Sequence, residues 1–162
     1  MNRDLLSKWI RPLAVGFITW NALGAYACVQ QFALRTGGAS LTDPFKQALY
    51  SHLPLTYDYL FVGAETCGLV GAVLLLWGRS AARAWLGASV IFIVLQFGYL
   101  FANTDLLAHE GPRATLFPLF VLIMGAIQLW AAARAHRSPL TVRSAEPSGM
   151  KVPTILKDHN DE

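Results

Sequence analysis

The chain has 162 residues, of which 54% are hydrophobic and only 14% charged, against roughly a quarter charged in soluble domains. The apolar residues gather into blocks of about 20, the length that spans roughly 30 Å of hydrocarbon. Those blocks leave no room for a separate soluble domain. The formal net charge of +3 orients a membrane protein and is not a nucleic-acid footprint.

Residues 1–12 form a basic interfacial lead with Trp9 at headgroup depth, where aromatic belts sit. Span 1 covers residues 13–34; its apolar run is about twice a signal-peptide core, so it is expected to remain as an anchor. RTGGAS then reads as flexible chain, and LTDPFKQALYSHLP as a helix. Thr42 or Asp43 caps it and Pro44 takes its first position. Phe45, Ala48, Leu49 and His52 recur at helical spacing, which predicts a short amphipathic helix on the outer membrane surface, ended by Pro54.

Spans 2 and 3 cover residues 57–77 and 82–103, and the WGRSAAR link makes them an antiparallel hairpin. A short loop of mixed charge leads to span 4, residues 114–133, in which Pro118 sits about one turn inside and a kink is tolerable. The polar, Pro-containing segment 138–162 is expected to be a disordered tail. Arg3, Lys8, Arg11, Arg79, Arg83, Arg134, Arg137, Arg143, Lys151 and Lys157 fall on one side of the membrane, and only Arg35, Lys46 and Arg113 on the other. Positive charge collects in the cytoplasm, so both termini are expected there. The expected fold is an all-α transmembrane four-helix bundle occupying residues 13–137, N-in and C-in.

Polar residues within the spans fall into stripes. In span 1, Asn21, Gly24, Cys28 and Gln31 share a face; in span 3, Ser89, Phe92, Gln96, Tyr99 and Asn103 do. Span 4 offers Pro118, Gly125 and Gln128. In span 2, Asp58, Phe61, Glu65, Gly68 and Ala72 align, and Ala64, Gly68, Gly71 and Ala72 suit close helix packing. Glu65 lies about 12 Å below the outer end of span 2 and Gln96 at about 10–11 Å in span 3, which makes Gln96 the expected partner of the Glu65 carboxyl. Asp58 is expected to be a hydrated residue at a helix start.

Glu65 admits two readings. It binds a cation or carries a proton, as intramembrane acids often do, or it is a neutral carboxyl in an interhelical hydrogen bond worth about 0.6–2 kcal/mol. On the first reading Glu65, Gln96, Asn21 and Ser89 border a pathway. Cys28 and Cys67 read as buried small hydrophobes without a disulfide. His52 and His109, with Asp58 and Glu110 near, supply too few spaced ligands for a metal. No HExxH, GxSxG, P-loop or dinucleotide motif occurs, so neither an enzyme nor a cofactor is expected.

WNALGAYACVQQ (residues 20–31), ALYSHLP (residues 48–54), GAETCGLVGAVLLLWGRSAA (residues 63–82) and SVIFIVLQFGYLF (residues 89–101) follow one another in order. Together they resemble the small four-helix bacterial inner-membrane proteins often automatically labelled "sugar transporter". The resemblance spans roughly residues 9–135 and rests on Trp20, Asn21, Gly24, Leu49, Tyr50, Pro54, Gly68, Gly71, Leu75, Leu76, Ser89 and Gln96. Glu65 lies outside that pattern. The resemblance implies a multi-pass protein of the bacterial inner membrane and, by its label, transport of a small solute. Four short spans rarely enclose an alternating-access route alone, so a homo-oligomer is expected. The competing expectation is a non-catalytic membrane partner or assembly subunit.

Overall fold

A computed structural model describes residues 3–136 of the protein; the expected tail, 138–162, lies outside them. The described residues form helices and no strand. Four helical stretches are long and apolar enough to cross a membrane.

Helix α1 runs from Arg3 to Arg35. The interfacial lead expected at residues 1–12 is no separate segment from Arg3 onward: the helix passes through Pro12, which removes one backbone donor without ending it. Its far end closes at Gly37, whose φ of +76° suits a residue without Cβ, and Gly38 N–H caps the Ala33 carbonyl at 2.8 Å. Helix α2, Pro44–His52, starts where Asp43 Oδ1 accepts from Phe45 N–H at 2.9 Å. Leu53 and Pro54 are extended, and α3 runs from Leu55 to Leu76.

A tight turn with Gly78 at φ +66° joins α3 to α4, Ala82–Asn103. The link that follows is not plain loop. It folds into α5, Leu106–Glu110, and a 3₁₀ turn, Gly111–Thr115, before α6, Leu116–His136. Pro118 is therefore the third residue of α6, where a helix has no internal use for the missing N–H, and no kink needs to be invoked.

Helix α3 is the centre of the bundle, touching α1, α4 and α6, with α4 also packed on α6. Lipid supplies no hydrophobic drive between helices, so close fit and hydrogen bonds must hold them. Gly71 illustrates the fit: a Cβ there would stand 2.6 Å from Leu86 Cγ. Apolar clusters close both ends of the bundle. Near the α3–α4 turn, Ala14, Phe17, Ala72, Leu75, Leu86 and Ala132 pack together. At the opposite end Leu53, Tyr57, Leu100, Leu106 and Ala114 do so.

Helix α2 joins the second cluster through Phe45, Leu49 and Tyr50. Its apolar side, expected to face the membrane surface, is instead turned partly onto the end of the bundle. Phe45 stacks on His109 with ring centroids 3.8 Å apart, and Lys46 pairs with Glu110 at 2.5 Å, so α2 is clasped to α5.

Candidate functional site

Between the two apolar ends lie the polar side chains of the stripes. Asn21, Gln31, Ser89, Gln96 and Gln128 are all buried. Asn21 Nδ2 donates to the Phe17 carbonyl one turn back at 2.7 Å and to Gln128 Oε1 at 3.1 Å. Its own Oδ1 fills the place that a side chain on Gly68 would take, beside Ser89 Oγ. Ser89 Oγ in turn donates to the Ala64 carbonyl at 2.8 Å, tying α4 to α3. Ala64, Gly68, Gly71 and Ala72 are all buried, and Gly68 and Gly71 let α1 and α4 approach.

Gln96 does not bond Glu65. Its Nε2 donates to the Tyr57 hydroxyl at 3.2 Å. Matching depth was not enough to make them partners, because Glu65 turns toward α1. There Gly24 has no side chain, and the Glu65 carboxyl occupies the space a Cβ would need. Glu65 is half-buried. Among the described residues it has neither a hydrogen bond nor an ion-pair partner.

Asp58 is the second departure from expectation. Far from being hydrated, it is 1% exposed and its Oδ2 lies 2.7 Å from Arg35. Arg35 also donates to the Leu53 carbonyl, and Gln31 Nε2 to the Tyr50 carbonyl at 3.1 Å. Arg35 ends α1 and Asp58 opens α3, so each sits where the helix dipole favours its charge. The signal was available in the sequence: an opposite-charge pair at two helix ends that a hairpin-like packing brings to one level. Reading Asp58 as hydrated, and Arg35 only as a charge on the outer side, missed it.

Cys28 and Cys67 are buried free thiols. His52 Nδ1 lies 2.7 Å from the Ala48 carbonyl, and among the described residues no three His, Cys, Asp or Glu come together as a metal site. Two open grooves mark the surface. One of about 350 Å³ lies between α2 and the end of α4, lined by residues such as Leu49, His52, Tyr99 and Asp105. The other, about 590 Å³, follows α4 past Arg83, Gly87 and Ile91. Neither includes Glu65.

What the arrangement offers chemically is one carboxyl with no partner among the described residues, within a helix long and apolar enough to cross a membrane, beside amides already committed to holding helices together. Compared with known protein families, with curated proteins and with solved structures, the chain finds no match.

Proposed function

We propose that the protein is a small-solute or ion transporter of the bacterial inner membrane, working as a homo-oligomer, in which Glu65 binds the proton or cation that moves. One observation carries this reading. Asn21, Ser89, Gln96 and Gln128 have hydrogen-bond partners, whereas the Glu65 carboxyl lies on Gly24 with none among the described residues. An acid at that depth is costly to keep and is rarely retained as mere filling. Asn21, Ser89 and Gln96 then border the site as the groups that fix the helices around it.

A second reading has its own support. The same saturated interior, with Gly68 and Gly71 at close crossings, suits a non-catalytic subunit that packs against another membrane protein. Proteoliposome assays of proton-coupled solute flux, comparing the native chain with Glu65→Gln, separate the two. Loss of flux in a folded Glu65→Gln protein supports transport through Glu65. Undiminished flux removes Glu65 from the mechanism. No flux from the native chain, with a membrane protein co-purifying in stoichiometric amount, favours the subunit.

A further inference from the structure

The seam between α1 and α3 is polar from Glu65 to the α2 end. On α1, Gly24 meets the Glu65 carboxyl, and Cys28, Gln31 and Arg35 follow at intervals of three and four on the same face. On α3, Asp58 and Glu65 stand seven residues apart on one face, about 10 Å along the axis. Cys28, a buried thiol, lies along α1 between Gly24, which meets Glu65, and Arg35, which meets Asp58. The seam ends at Arg35 and Asp58.

That pair is poorly built as static glue. Among the described residues, both Asp58 oxygens and Arg35 Nε are buried without a hydrogen bond, although Oδ2 is in ion-pair contact with the guanidinium. A buried pair repays its desolvation only when its remaining donors and acceptors are satisfied. It is well placed to open. The Arg35 side chain keeps 22% exposure, so it can turn to water, and each partner stays at the helix end whose dipole favours it.

We propose that the Arg35–Asp58 pair is a gate that closes the α1–α3 seam and controls access to Glu65 from the α2 end of the bundle. This rests on Glu65 being the working carboxyl. Opening moves the guanidinium off Asp58 and the Leu53 carbonyl, and the space between Gln31 and Cys28 becomes reachable from water.

Cys28 reports on it directly. In a Cys67→Ser background it is the sole thiol, and its alkylation by N-ethylmaleimide can be timed by mass spectrometry in proteoliposomes. The closed seam should protect it. Asp58→Asn should speed alkylation by about fivefold, as expected when a local opening becomes easier. Arg35→Lys, which keeps the charge on a differently shaped side chain, should speed it less. An unchanged rate in a folded Asp58→Asn protein overturns the gate. Should that variant not fold, an unchanged rate in Arg35→Lys does so. Either result leaves the flux comparison between native and Glu65→Gln protein standing, so failure of the gate and failure of Glu65 are distinguishable.

Discussion

Asn21 donates to Gln128 Oε1 across 3.1 Å, joining α1 to α6 through two residues 107 positions apart. The two helices touch little elsewhere along their length compared with α3 and α4, so this bond closes the bundle. Asn21→Ala leaves Gln128 buried with an unused acceptor, and interhelical hydrogen bonds in membranes are worth about 1–2 kcal/mol at most. Denaturation in detergent micelles should show a loss of about 1–2 kcal/mol for Asn21→Ala. Gln128→Leu, which removes the opposite partner, should cost a similar amount, and the double variant less than the sum.

Glycines of the bundle should divide sharply by what surrounds them. A side chain on Gly68 collides with Asn21 Oδ1, and one on Gly71 with Leu86, whose backbone nitrogen is only 3.1 Å away. Gly87 has nothing within 4 Å. Gly68→Leu and Gly71→Leu should each lower stability by about 1–3 kcal/mol or more, as overpacking does. Gly87→Ala should stay within about 0.5 kcal/mol of native. Unfolding midpoints of the three variants, measured side by side, check the ranking.

Why the faces were legible and the partners were not follows from helix geometry. Spacing along one helix fixes which residues share a side, so Asn21, Cys28 and Gln31 on α1 and Ala64, Gly68 and Gly71 on α3 could be read as inward-facing, and all are buried. Residue count also fixes depth. Neither fixes how a neighbouring helix is rotated. Glu65 and Gln96 share a depth, yet one turns to α1 and the other to Tyr57. Charge counting by loop hid the Arg35–Asp58 pair in the same way, because it places charges on a side of the membrane without asking which helix ends meet. The placement of α2 was lost for another reason: an amphipathic helix has the same pattern whether its apolar side meets lipid or protein.

The clasp between α2 and the bundle should loosen in alkali. The Lys46 ammonium is held above the ordinary lysine pKa, chiefly by its hydrogen bond to Glu110, and burial pushes the Tyr50 hydroxyl up as well. For both groups the folded pKa is the higher one, so their stabilisation is complete below the unfolded values and disappears as pH rises through the folded values. From neutral pH to mild alkali α2 should stay docked. In stronger alkali, hydrogen exchange of the α2 amides should accelerate before that of α3 and α4. Lys46→Met should remove the lysine part of that dependence, and high salt should mimic it, since the Lys46–Glu110 pair is partly open to solvent.

Removing either member of the Arg35–Asp58 pair should have unequal consequences. Arg35→Met leaves Asp58, 1% exposed, as a buried carboxylate with no cation beside it. Breaking a buried pair from that side costs up to about 3–5 kcal/mol. Asp58→Asn instead leaves a guanidinium that still reaches the Leu53 carbonyl and, at 22% exposure, can turn outward to water. Its cost should be about 1 kcal/mol, near that of an ordinary lost hydrogen bond. Replacing both residues with apolar ones, as in Arg35→Met with Asp58→Leu, removes the stranded charge and should recover most of what Arg35→Met loses. Equilibrium unfolding of the three proteins in one detergent decides it: equal losses for Arg35→Met and Asp58→Asn would mean that Asp58 is reached by water after all, and that the pair closes nothing.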